Sequence, residues 1–316
     1  MRFYFLIACL ACASAAAQTW PAKPVRVVVP YSAGGGADTV SRILFAKVAE
    51  DLGQAFVIEN RAGGAGIIGP AFVAKAPADG YTILYHATAH SINPALVANL
   101  PYDTQNDFVP VFLAAQVPNL LVVYPPVPAK TVSDVIALAK SSPGGLDWAS
   151  SGNGSVQHLA LELFRAMTGV KLNHVPYKGG APALNDMVGG HIKFFFSNAS
   201  SSTPFVKSGQ VRALAHTGRG RLAAFPELPP VSDSVPGFEA YEWNGVFVPA
   251  GTPAPVVSRL NAALNDALRE PKIAERLAAL SVQAKPNSPA EFAAFFKSEL
   301  DKWGRVIREA NIQLDK

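Results

Sequence analysis

The chain predicts an α/β protein of two lobes, each a mostly parallel sheet flanked by helices, with a ligand cleft between them. Three observations carry this. Strand-like and helix-like segments alternate from residue 25 to residue 216, and almost every strand-like segment runs out into Gly, Ser, Thr or Asn before a helix begins. Two apolar segments, 119–124 and 241–248, stand beside proline-rich stretches, as a chain crossing between lobes and back would have them. A length of 316 residues also exceeds what one core usually organises. The expected division is a signal peptide over 1–17, a first lobe from 18–122 and 247–316, and a second lobe from 123–246.

Residues 25–29 are a β-branched run that Pro30 stops, so a buried first strand is expected there. Gly34, Gly35 and Gly36 make a bare turn, and Asp38 reads as the cap of a helix over 39–52. Such a turn leaves backbone N–H groups free beside the positive end of a helix dipole, the outline of an anion site or simply of tight packing. A second strand over 56–59 leads through a glycine-rich turn, 60–66, into a helix over 67–75. A third strand over 81–86 ends in Ala87-Thr88-Ala89-His90-Ser91. Strand and helix alternate here as in right-handed parallel units, whose ligands gather at strand carboxyl ends.

The second lobe repeats the scheme. A helix over 132–140 precedes a strand over 146–149, the turn Ser150-Ser151-Gly152-Asn153-Gly154-Ser155 and a helix over 156–168. Strand 173–175 ends at Pro176-Tyr177-Lys178-Gly179-Gly180 and is followed by a helix over 181–188. Strand 191–196 ends in Ser197-Asn198-Ala199-Ser200-Ser201-Ser202, and 211–216 is one more strand. Helices over 255–268, 272–280 and 289–310 close the chain. In the last, Phe292, Phe295, Phe296, Leu300, Trp303 and Ile307 share a stripe, which reads as core packing.

The first seventeen residues read as an export signal: Arg2, an apolar run over 3–10, and Ala15-Ala16-Ala17 as the cleavage site. That run is shorter than the about 20 residues a membrane span needs. Both cysteines, Cys9 and Cys12, lie inside the first seventeen residues, so the mature chain is expected to carry neither thiol nor disulfide. A soluble, exported product is expected, periplasmic in a Gram-negative cell. The formal charge is a mild +4, with no basic stripe beyond Arg219-Gly-Arg221, so nucleic acid is not an expected partner.

Gly64-Ala65-Gly66-Ile67-Ile68-Gly69 matches the dinucleotide fingerprint, but the carboxylate required about 20 residues on is replaced by His86-Ala87-Thr88. Nucleophilic catalysis lacks both a Gly-x-Ser-x-Gly elbow and a cysteine in the mature chain. His86 and His90 lie four apart without an acidic cluster to complete a metal site. No cofactor or metal is therefore expected, and the chain is not expected to be an enzyme. His158, one turn into its helix, is a candidate donor to a bound anion or a capping histidine. What remains is a set of turns that would grip a carboxylate through amides and hydroxyls.

Several motifs in order along the chain resemble the tripartite tricarboxylate transporter substrate-binding proteins, the Bug family of extracytoplasmic solute receptors. They are Trp20-Pro21-Ala22-Lys23-Pro24-Val25-Arg26, Val29-Pro30-Tyr31 with Gly34-Gly35 and Asp38, Glu59-Asn60-Arg61, and Asp79-Gly80-Tyr81-Thr82. Asn93-Pro94-Ala95-Leu96, Leu100-Pro101-Tyr102-Asp103, Ala149-Ser150-Ser151-Gly152-Asn153-Gly154-Ser155 with His158-Leu159-Ala160, His174-Val175-Pro176-Tyr177-Lys178-Gly179 and Pro249-Ala250-Gly251-Thr252-Pro253 continue the series. The resemblance implies a periplasmic-binding-protein-like fold of type II. It implies a receptor that closes on a small organic carboxylate and presents it to membrane permease subunits. A monomer is expected.

Carried over by the same motifs, the ligand-binding residues would be Tyr31, Ser32, Ala33, Gly34 and Gly35; Thr88, His90 and Ser91; Ser151, Asn153, Gly154, Ser155 and His158; and Tyr177. Ser197 and Asn198 complete the set at the third strand end of the second lobe. That strand usually carries acids in the family, whereas Lys193 and Ser197-Asn198 stand here. The absence of an acid at Ser197 points away from an amino acid and toward a di- or tricarboxylate or an aromatic acid. Two other readings stay open on the sequence: a ligand sensor serving a membrane kinase, and a secreted carboxylic-ester hydrolase.

Overall fold

The computed structural model describes residues 20–31, 33–34, 36–63, 66–177 and 179–313. The expected leader with its two cysteines, and the candidate residues Ser32 and Gly35, lie outside the described residues.

In the first half, β1 (Val25–Val29) pairs in parallel with β2 (Phe56–Asn60) on one side and β3 (Thr82–Ala87) on the other. Helices α1 (Gly36–Leu52) and α2 (Ile68–Val73) connect them, and α3 (Ala89–Leu96) follows β3. The second half begins after α4 (Val132–Lys140). There β5 (Leu146–Ser150), α5 (Val156–Thr168), β6 (Leu172–Pro176), α6 (Gly180–Val188) and β7 (Phe194–Asn198) repeat the pattern, with β5 in parallel between β6 and β7. Helix α7 (Ala199–Lys207) and β8 (Arg212–His216) complete it.

Two long strands stitch the halves together. β4 (Phe108–Val123) pairs antiparallel with β9 (Tyr241–Pro249) through Pro118, then exchanges that partner for β7 and β8 from Asn119 onward. The proline falls at the handover, where a ladder can lose an N–H. The sheet runs β2-β1-β3-β9-β4-β7-β5-β6, with β8 on β4 beyond the end of β9. It is parallel in its outer parts and antiparallel at its centre, because the strands that carry the chain from one half to the other and back must reverse direction.

Helices α8 (Ala254–Arg269), α9 (Pro271–Ala279) and α10 (Pro289–Glu309) return to the first half. The apolar stripe of α10 packs as its spacing predicts, and it spans both halves. Phe292 and Phe296 join Val28, Leu84, Trp243 and Phe247, whereas Trp303, Val306 and Ile307 join Trp148, Phe164 and Phe196.

Several boundaries differ from the expected ones. Helix α1 starts at Gly36 and not at residue 39, because the Asp38 carboxylate caps backward from inside the first turn, accepting the Gly34 N–H at 2.8 Å. α3 and α7 occupy stretches that read as polar strand ends. β4 begins well before the expected apolar run.

Candidate functional site

The strand ends bring the first-half candidates into one cluster. Tyr31, half-buried after β1, sets its hydroxyl 3.1 Å from His86 Nδ1, and its carbonyl accepts from Asn60 at 3.0 Å. His86 is fully buried and its Nε2 lies 2.9 Å from the Gly66 carbonyl. Donation there leaves Nδ1 to accept from Tyr31. Burial lowers the His86 pKa to about 4, so the ring is neutral. The glycine turn of β1 is closed by Asp38, which also accepts from Arg42 Nε and Asn60 Nδ2, each at 2.9 Å. Burial works against its charge, but the hydrogen bonds from Arg42, Gly34 and Asn60 outweigh it and hold the carboxyl below its ordinary value. The Gly34 amide is thereby engaged within its own turn, while Ala33 and Gly34 themselves are exposed.

Thr88, His90 and Ser91 sit deeper. Thr88 Oγ1 accepts the Trp243 N–H at 2.8 Å, tying the end of β3 to β9, and Ser91 Oγ donates to the Thr88 carbonyl at 2.9 Å. His90 is fully buried in an aromatic nest, stacked on His86 at 4.8 Å and on Phe296 at 5.4 Å, with neither ring nitrogen hydrogen-bonded. Burial, then the neighbouring His86, keep its pKa well below the ordinary value. These three side chains hold the strand end in place from beneath.

In the second half the two loops after β5 and β6 are laced together: Tyr177 N–H donates to the Ser150 carbonyl at 3.1 Å and Gly179 N–H to the Ser151 carbonyl at 3.2 Å. Ser151, Asn153, Gly154 and Ser155 are half-exposed on this surface. Ser155 caps α5, its Oγ accepting the His158 N–H at 3.2 Å. The His158 ring closes the turn, because Nδ1 accepts the Gly154 N–H at 3.2 Å and Nε2 stands 3.8 Å from the buried carboxylate of Glu162. Burial, followed by His174 and Arg165, lowers its pKa to about 3. His158 therefore organises the loop as a neutral ring that accepts through Nδ1. Ser150 lies 2.6 Å from His174 Nε2 but is fully buried, so this pair belongs to the turn. Tyr177 donates its hydroxyl to Asp186 at 2.9 Å, and burial together with that carboxylate pushes the phenol up to about 12.

The halves meet at Glu242, which the sequence reading missed. It stands opposite Val117 beside the β4 handover. Asn198 Nδ2 donates to its Oε2 at 2.8 Å, and Gln157 Nε2, held 3.1 Å from Asn119 Oδ1, lies 3.5 Å from the same oxygen. Burial, then the Glu242 charge, raises the Tyr31 phenol. Asn198 Oδ1 meanwhile caps α7 through the Ser200 N–H at 3.0 Å, whereas Ser197 is buried with an unpartnered hydroxyl. A lone acid in an otherwise apolar and amide strand was the available signal.

Among the described residues, no group of three or more His, Cys, Asp or Glu could hold a metal ion, and no helix is long and apolar enough to cross a membrane. A groove of about 1380 Å³ is lined by Glu162, Arg165, Lys171, Tyr241 and Lys302 among others. It opens beside the C-terminal half of α5, away from the loop at that helix's start.

Comparison with known proteins gives a consistent result. Residues 40–312 match the family model described as tripartite tricarboxylate transporter family receptor. The UPF0065 protein of the tcbD-tcbE intergenic region of Pseudomonas sp. (strain P51) is 40% identical over 92% of this chain and 88% of that protein. Among solved structures, R. palustris Rpa4515 with adipate is 36% identical, covering 94% of this chain and 100% of that one, with a TM-score of 0.81. The periplasmic binding protein BugD is 33% identical, with coverage of 94% and 100% and a TM-score of 0.77. MatC (Rpa3494) from Rhodopseudomonas palustris with bound malate is 32% identical, with coverage of 91% and 100% and a TM-score of 0.76.

Proposed function

The chain belongs to the tripartite tricarboxylate transporter receptor family, and from that premise we propose that it captures a small di- or tricarboxylate or an aromatic acid between two lobes and delivers it to membrane permease subunits. It is a solute receptor, not an enzyme, and the family is one of periplasmic binding proteins. The observation that carries the ligand class is the likeness, over nearly the whole chain, to one structure holding adipate and another holding malate.

The lobes proposed are 18–122 with 247–316 and 123–246, on a chain exported by a leader cleaved after Ala17 and working as a monomer. The exchange of β4's strand partners after Pro118, opposite the start of β9, supports a hinge close to those boundaries. The half-exposed residues Tyr31, Ser151, Asn153, Ser155, Tyr177 and Asn198 are the proposed contacts. Thr88, His90, Ser91 and His158 support them from behind. Closure follows if the acid bridges both lobes, since only a ligand with greater affinity for the closed form can shift that equilibrium.

A thermal-shift screen of carboxylic acids tests the reading. A bound acid at 100 times its dissociation constant should add about 2.7 kcal/mol of stability. A screen in which every acid leaves the melting curve unchanged would contradict it.

A further inference from the structure

Glu242 is the one charged residue of β9, whose other positions are apolar, aromatic, glycine or amide. A carboxylate on such a strand costs desolvation unless polar groups face it. Here they come from the end of β7 and the first turn of α5. Asn198 and Gln157 both reach Oε2, at 2.8 and 3.5 Å. Among the described residues no hydrogen bond is made to Oε1, and the residue is half-exposed, so that oxygen remains open to a donor. An acid is missing from the end of β7, where Ser197 is buried. Glu242 brings one to the same strand end from β9, on the far side of β4.

The position matters because Asn198 belongs to one half of the proposed site and Tyr31 to the other. Glu242 touches the first, and the next residue of its strand, Trp243, bonds Thr88 in the first-half cluster at 2.8 Å. A ligand bridging the two lobes passes this carboxylate. A plain dicarboxylate brings only acceptors, so a carboxylate group set against Oε1 would meet like charge with no proton between them. A hydroxyl or an ammonium group would instead make a charge-assisted hydrogen bond.

We propose that Glu242 selects, among small carboxylic acids, those that carry a hydrogen-bond donor, a hydroxyl or an ammonium group, beside a carboxylate. This rests on the carboxylate-receptor reading above. It also reverses the expectation drawn from Ser197, because an amino group now has an acid to face.

The test is calorimetric and thermal-shift titration of the full chain with matched sets of acids. Suitable sets are succinate, malate and aspartate; adipate, 2-hydroxyadipate and 2-aminoadipate; and benzoate, salicylate and anthranilate. In whichever set binds, a donor-bearing member should bind at least about tenfold more tightly than the plain acid. The hydroxy and amino members separate the two kinds of donor. Glu242→Gln, which keeps the shape, should bring that ratio to within about threefold. A plain acid that binds the wild-type chain as tightly as its substituted partners overturns the inference and leaves the receptor reading standing. A preference that survives Glu242→Gln also overturns it. Silence from every acid would overturn the receptor reading and this inference together.

Discussion

The imidazole rings of His158 and His174 stack 3.7 Å apart and within 6° of parallel. Two neutral rings accept such a contact; two imidazolium ions would repel. The same stack lets His158 Nδ1 hold the Gly154 amide, so the shape of the loop depends on an uncharged ring.

That dependence gives stability a pH profile. The unfolded chain protonates its histidines below about pH 6.5, whereas folded His86 and His158 resist until about 4 and about 3. Their contribution is therefore complete above about pH 6.5 and is lost as pH falls through the window down to those values, at up to about 1.4 kcal/mol per pH unit per histidine. Urea unfolding followed between about pH 7.5 and 5 measures the slope. His158→Asn, which keeps an acceptor for Gly154, should flatten it. An unchanged slope would contradict the assignment.

Thr88 separates support from contact. Its buried Oγ1 accepts the Trp243 N–H, and Thr88→Val would leave that donor unsatisfied in the interior. The expected loss is about 1–3 kcal/mol by chemical denaturation. Half-exposed Ser151, replaced by Ala, should change stability by no more than about 0.5 kcal/mol.

Glu299 fastens α10 to β9. Its buried Oε2 accepts the indole N–H groups of Trp243 at 3.0 Å and Trp303 at 2.8 Å, and Lys302 pairs with the other oxygen. In Glu299→Gln the new amide must turn its N–H₂ toward either the indoles or Lys302, all of them donors. A loss of about 1–3 kcal/mol in urea unfolding is expected, and Glu299→Ala should cost more.

Much of this was legible beforehand, for identifiable reasons. The bounds of α4 and α5 coincide with those read from sequence because their ends carry local signals. Thr131 and Asp134 form a capping box, Ser155 caps α5, and Gly169 closes it with a φ of 68°. α3 and α7 escaped notice because each contains a proline, Pro94 and Pro204, amid short polar residues, and docking outweighs poor intrinsic propensity. β4 was hidden by Pro110, which sits at a register shift, and by Pro118 at the handover. Glu242 showed in the sequence only as a lone acid in its strand, for a different reason. Its meaning lies in Asn198 and Gln157, distant in sequence and brought alongside only by the order of strands.

The central claim is that two lobes close on an organic acid. Small-angle scattering of the full chain, with and without the best-binding acid from the screen at a concentration that calorimetry shows to be saturating, tests it directly. The radius of gyration should fall on binding. A scattering curve that stays the same at full occupancy would contradict the clamp.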